Sequence, residues 1–326
     1  MAVLMNYLCA AYNAAPVTQP WSGTQEAAYY RALKDVPSIG LLELPVHATG
    51  QIHAQDPAWQ LDQLDKRWDF VLSLIGGTLQ SLQKDPQFGL ASDSEAGRTA
   101  ALRLAEQTRQ VVKQINAKFG RKAVRWVELH TAPRRSVAGV TGSVAALARS
   151  LRELQGWDWD GAGLVIEHCD RYVENQRPEK GFLSIEQEID AIQQVGQRMP
   201  LGIVINWGRS ALEARDPAEP LKHVRAAKAA GLLKGLTFSG CTPQDPNYGE
   251  WLDQHAPFAA TPGFKTGCAN SVLTVERAAE CLKEANPVQL AFVGLKVQPL
   301  PATLNLEQRL ATLRDTIALI DKAMAS

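Results

Sequence analysis

The stretch LVIEHCDRYVEN, residues 164–175, passes from an apolar run straight into charge. Leu164, Val165 and Ile166 read as the interior of a buried strand, while Glu167, His168, Asp170, Arg171 and Glu174 crowd its end. A strand that points ionisable groups out of its core matches the rim of a parallel α/β barrel, where catalytic groups sit at the C-terminal ends of strands.

Outward from this stretch, the same unit of apolar strand, polar loop and helix recurs. The expected strands cover residues 3–12, 39–46, 68–76, 124–131, 163–170, 201–208, 232–240 and 288–297. Each is a short run of β-branched or apolar residues ended by Gly, Pro or charge. Helical patterns lie between them. Residues 94–120 carry apolar positions at helical spacing and stop on Gly120; Ser184 with Gln187 forms a capping-box signature for a helix over 184–199. Eight strands alternating with helices in 326 residues predict a (β/α)8 TIM barrel, one domain over 1–326. No GxGxxG follows the first strand, which argues against a dinucleotide fold.

Bulk composition narrows the function classes. Basic and acidic residues balance at 34 each, with no dense Lys/Arg run, so a nucleic-acid partner is not expected. The five cysteines form no CxxC pair and read as thiols of a reducing compartment. The apolar N-terminus lacks a basic region and is broken by Asn6, Tyr7 and Asn13, so a first barrel strand explains it better than a signal peptide. No segment approaches the ~18 apolar residues of a membrane span. The expectation is a cytoplasmic protein with a small-molecule substrate and no membrane partner, for which a homo-oligomer is admissible.

Polar residues gather late in most strands. Glu43 ends the second; Glu128 and His130, two residues apart, share a face of the fourth; Glu167 and Asp170 follow on the fifth. Asn206 and Arg209 close the sixth, Ser239 and Cys241 the seventh, and Lys296 and Gln298 the eighth. A carboxylate facing the barrel axis must find a partner or raise its pKa, and such groups are either functional or members of a structural ion pair. His168 alternates with Glu167 and should face the helices as a packing residue. His47 and His53 follow the second strand and either reach the mouth or stay on the surface; His223 and His255 carry no signal.

On these residues the sequence resembles the xylose isomerase-like superfamily of TIM barrels, which includes sugar isomerases and ketose 3-epimerases. LLELP (41–45) looks like its Glu-bearing second strand, VELHTAP (127–133) like its strand-plus-His segment, and LVIEHCDRYVEN like its fifth strand. The resemblance implies Glu167 as a metal ligand, Asp170-Arg171 as its Asn/Asp-Arg step and Glu174 near an acid/base position, one residue out of register. IVINWGRSALE (203–213) departs from the pattern, with Asn206 where a ligand Asp is expected and Arg209 where a His is expected. The seventh strand offers TFSGCT instead of a ligand His, and Lys296 stands near the last ligand Glu.

An ammonium beside a dication is unfavourable by roughly 8 kcal/mol at ~4 Å with an effective dielectric constant of ~20. The reading is therefore a site without the family metal, in which Lys296 and Arg209 take the electrostatic place of the cation. The expected chemistry is acid/base proton transfer on a small sugar or sugar derivative, with no cofactor. Glu128, His130, Glu167 and Lys296 are the catalytic candidates, and Glu43, Asp170, Arg171, Asn206, Trp207 and Arg209 the substrate-binding ones. Trp207 is the favoured stacking platform among loop tryptophans. Alternatives remain open: a Schiff-base Lys296 in an aldolase or lyase, a non-catalytic sugar-binding barrel, a Lys296 that merely neutralises Glu167 or Glu128, or a divalent metal (Mg, Mn or Zn) held by Glu128, His130, Glu167 and Asp170. The loop TPGFKTGCANSV (261–272) is a further candidate, for an anion at a helix N-terminus.

Overall fold

In a computed structural model, described over residues 6–36 and 38–326, eight parallel strands close into a barrel in sequence order, β1 to β8. They are β1 (Tyr7–Cys9), β2 (Ile39–Pro45), β3 (Asp69–Ser73), β4 (Val124–Leu129), β5 (Gly163–His168), β6 (Leu201–Asn206), β7 (Leu233–Phe238) and β8 (Phe292–Leu295). The helices are α1 (Ala11–Ala14), α2 (Gly23–Leu33), α3 (Pro57–Gln63), α4 (Ile75–Leu82), α5 (Glu95–Phe119), α6 (Val144–Leu154), α7 (Ile185–Val195), α8 (Trp207–Ala214), α9 (Glu219–Ala229), α10 (Val275–Ala285) and α11 (Leu306–Met324). The expected (β/α)8 TIM barrel is the observed fold.

Two-residue alternation along each strand sorts the interior into layers. Leu8, Leu41, Val71, Trp126, Val165, Val204 and Phe292 form an apolar plug inside the barrel. Two positions further along the same strands stand Glu43, Ser73, Glu128, Glu167 and Asn206, all buried. Lys296, just past β8, continues the face that carries Phe292 and Gly294. A polar layer thus rests on an apolar floor. Small residues make the floor possible: a Cβ on Gly163 would lie 2.3 Å from the Trp126 ring, and one on Gly235 would lie 2.6 Å from the Phe292 ring.

Element ends differ from the sequence reading where side chains or tight turns intervene. The first strand is confined to Tyr7–Cys9 and gives way to α1; the expected start at residues 3–5 lies outside the described residues. The sixth strand stops at Asn206 because its side chain accepts the Arg209 N–H at 3.3 Å and caps α8, so Trp207 and Gly208 are helical. The eighth strand begins only at Phe292, after a 3-10 turn at Pro287–Gln289. The Ser184–Gln187 capping box forms as expected, and Gly120 takes the left-handed conformation that ends α5. All five cysteines are buried free thiols. Among the described residues no helix is long and apolar enough to cross a membrane.

Candidate functional site

The polar layer converges on Glu167. Its Oε1 accepts hydrogen bonds from Asn206 Nδ2 at 3.0 Å and Lys296 Nζ at 3.3 Å; its Oε2 lies 3.0 Å from His130 Nε2 and 2.6 Å from Arg209 Nη1. Lys296 Nζ also donates to Glu43 Oε1 at 2.6 Å, and the Tyr12 hydroxyl donates to the same oxygen at 2.8 Å. Glu167 and Lys296 are 1% and 0% exposed, so the pairing takes place away from bulk water.

Burial opposes charge on every member, and the outcome depends on the partners. Burial raises the Glu167 pKa, but Arg209 and Lys296 outweigh it and hold the carboxyl well below its usual range. Burial lowers Lys296 and Arg209, and the surrounding carboxylates reverse this, so both remain cations. Glu128 behaves oppositely. Desolvation, reinforced by the charges of Glu43 and Glu167, pushes its pKa well above the usual value and keeps it neutral. Burial likewise lowers His130 to about 4, which leaves a neutral imidazole.

Beside this saturated network lies an unsatisfied one. Both oxygens of Glu128, the hydroxyl of Ser73 and Nδ1 of His130 are buried without a hydrogen-bond partner. Ser73 and Glu128 face each other in register across β3 and β4. Buried polar atoms are normally paired, so an unpaired group of donors and acceptors on one wall is a place for a ligand's hydroxyls or for water.

Several expected site residues stand elsewhere. Arg171 has 44% of its side chain exposed and pairs with Glu213 at 2.8 Å, outside the barrel. Asp170 is buried, but its carboxylate accepts the backbone N–H groups of Glu179, Lys180 and Gly181, which fold the loop after β5. Trp207 is fully buried in the main hydrophobic core, with the Cys281 thiol of α10 beside its indole, so it offers no stacking face. Helix α8 begins at Trp207, taking the last two residues of the expected strand, and this turns the ring outward. Glu174 is exposed. Glu167 stays at the centre of the layer, its carboxylate shared by Lys296, Asn206, Arg209 and His130. His168 faces the helices, as alternation predicts, bonding Glu188 at 2.8 Å. The 261–272 loop spends the N–H groups of Lys265 and Thr266 on Asp315, so its anion site is filled by the protein's own carboxylate.

Two residues of the long loop after β7 escaped the sequence reading. Asp253 Oδ2 lies 3.0 Å from Arg209 Nε and 2.6 Å from Lys180 Nζ, which ties the loops after β5 and β7 together over the cations. His255 sits 2.8 Å from Ser239 Oγ and 3.3 Å from Asp253 Oδ1, and burial lowers its pKa to about 3. Asp253 occupies an irregular loop, where no periodicity marks inward-facing positions.

The donor set does not suit the divalent cation that the resemblance implies. Divalent ions need several oxygen or imidazole ligands, yet the oxygens of Glu167 are spent on Lys296, Asn206, Arg209 and His130. The alternative set of Glu128, His130, Glu167 and Asp170 does not assemble either, because the Asp170 carboxylate binds backbone N–H groups of the β5 loop.

A family model described as Domain of unknown function (DUF4862) matches residues 8–312. A Salmonella typhimurium protein, the uncharacterized protein STM3670, is 35% identical over 317 residues, covering 97% of both chains. Among solved structures, the IOLI protein with a bound zinc atom superimposes with a TM-score of 0.60 at 12% identity, covering 98% of this chain and 100% of the other. D-psicose 3-epimerase, solved in the presence of D-fructose, gives 0.53 at 12% identity, covering 98% and 97%. At such identities the likeness is one of fold alone, the (β/α)8 barrel.

Proposed function

The chain belongs to the DUF4862 family, and from that premise we propose that it is a sugar isomerase- or epimerase-like enzyme of the xylose isomerase-like type. Its substrate in this reading is a small sugar or sugar derivative, and the reaction is proton transfer next to a carbonyl. The observation that carries the proposal is the pairing of two fixed cations with an unpaired acid in one buried layer. Lys296 and Arg209 supply positive charge where an enediolate oxygen would develop, with Glu167 holding both in place. Glu128, its carboxyl pKa raised by burial and with Ser73 its neighbour across the strands, is the proton donor, and in reverse its carboxylate is the acceptor. Glu43, on the other side of Lys296, is the second carboxylate of the acid/base pair. Ser73 and His130 Nδ1 are free to orient substrate hydroxyls. Asp253 and Lys180 close the mouth, so substrate enters when that clip opens.

Lys296 is a weak candidate for a Schiff base in this setting, since an ammonium held between two carboxylates lacks the free electron pair that imine formation needs. The test is proton exchange. A panel of free and phosphorylated aldoses and ketoses is incubated with enzyme in D2O and followed by 1H NMR for loss of the carbon-bound proton beside the carbonyl. Exchange that disappears in Glu128→Gln supports the reading. Sugars that bind but never exchange would replace it with a non-catalytic sugar-binding barrel.

A further inference from the structure

We propose that His168, Glu213 and His223 form a second site, on the outer face of the barrel, that binds one zinc-like divalent cation. The site is separate from the barrel interior and does not depend on the function proposed for it. His168 ends β5, Glu213 lies in α8 and His223 in α9; all three are buried, and their ligand atoms lie within 4.8 Å of one another.

The chemistry suits that ion. His168 Nε2 is 3.3 Å from Glu213 Oε2, and His223 Nε2 is 3.6 Å from the other oxygen, Oε1, so each imidazole faces one oxygen of the carboxylate. A single tetrahedral zinc, with bonds of about 2.0–2.2 Å, would draw the three ligand atoms, now within 4.8 Å of one another, to roughly 3.3–3.6 Å. Two imidazoles with one carboxylate favour zinc over the oxygen-seeking Mg²⁺ or Ca²⁺. A fourth position is available to water or to Glu219, whose Oε1 lies 3.5 Å from His223 Nε2.

The groups behind the ligands are arranged as metal-binding histidines require. A ligating imidazole gives its second nitrogen to a carboxylate or other polar group, which sets tautomer and ring orientation. Here His168 Nδ1 pairs with Glu188 Oε2 at 2.8 Å, and His223 Nδ1 with Ser210 Oγ at 2.9 Å. Glu188 is itself fixed by the Thr131 hydroxyl at 2.8 Å, and Glu213 by the backbone N–H and Nε of Arg171 at 2.9 and 2.8 Å. Both Nε2 atoms are thereby turned toward Glu213.

A second observation concerns His168 Nε2, which is fully buried and poorly aligned for a hydrogen bond with Glu213 Oε2, 3.3 Å away. Glu188 and Glu213 flank the ring and, against burial, raise its pKa to about 10, so a cation here competes with a proton on Nε2. The His223 ring stands edge-on to it at a centroid distance of 4.7 Å. A cation there would join the end of β5 to α8 and α9 one residue beyond Glu167, and so hold the strand in the register that turns Glu167 inward.

The experiment uses full-length protein without a histidine tag, stripped with chelator and then titrated with zinc and with cobalt(II). One equivalent per chain is expected, with a visible cobalt absorption band. His223→Gln should abolish binding, Glu188→Gln should weaken it about 10- to 100-fold, and Glu128→Gln inside the barrel should leave it unchanged. Nitrogen-15 imidazole spectra of the unmutated protein give a second readout that needs no variant to fold: zinc should shift Nε2 of His168 and His223. Unchanged imidazole resonances, or binding that survives His223→Gln and is lost in Glu128→Gln, would overturn the site.

Discussion

Lys296 at the end of the last strand and Glu43 on the second, 253 positions apart, meet at 2.6 Å inside the barrel. Glu167 shares the same ammonium from the opposite side at 3.3 Å. Removing one member of a buried ion pair strands the other charge, at a cost of about 3–5 kcal/mol. Lys296→Met should therefore destabilise the protein by about that amount in urea unfolding, and adding Glu43→Gln should recover part of the loss. If the two losses simply add, the pair is not coupled and the central electrostatic claim is wrong.

Glu128 sets a pH dependence. Its pKa in the folded protein is raised well above 4.5, so the folded state holds a proton that the unfolded state releases. Stability should fall as pH rises from about that unfolded value toward the raised one. Glu128→Gln, neutral at every pH, should flatten this slope and gain most in melting temperature on the alkaline side. In the exchange assay the same variant should lose about 10²- to 10⁴-fold in rate. An unchanged slope above the usual carboxylate range would place the proton elsewhere.

His130 titrates with the opposite sign. Burial depresses its pKa from 6.5 to about 4, so its neutral form adds stability that is present above about 6.5 and lost as pH falls through about 4. A histidine-resolved NMR titration should find its ring neutral down to about pH 5. Protonation near pH 6.5 would mean that burial does not disfavour the charged ring as described.

Borohydride supplies a negative control for the lysine. With Lys296 held as an ammonium between Glu43 and Glu167, reduction in the presence of carbonyl sugars should leave the mass of the chain unchanged. A covalent adduct on the peptide containing Lys296 would revive the aldolase reading and sink the cation role.

Asp253 joins the loops after β5 and β7 through Lys180 and Arg209. Asp253→Asn keeps its shape but loses the charge that joins Lys180, Arg209 and His255. Hydrogen exchange should accelerate in residues 171–182 and 251–256 while the barrel strands stay protected. Uniform acceleration across the strands would show instead that Asp253 supports the whole fold.

Much of this architecture is legible in the chain itself. Two-residue alternation puts Glu128 with His130 on one face and opposes Glu167 to His168, so inward and outward roles follow from covalent geometry. The eight apolar runs and their polar ends announce a barrel. What sequence could not supply is anything set by contacts between distant elements. Whether Asn206 prolongs a strand or caps a helix decides the direction of Trp207, and that depends on a bond to the Arg209 backbone. Asp253, His255 and His223 are unmarked in one dimension, because loops and polar helix faces have no period that distinguishes a buried position. Their partners Arg209, Ser239 and Glu213 become neighbours only when the barrel closes. Local periodicity determines which way a side chain points; closure of the chain determines what it meets, and the charge state of each buried group follows from that meeting.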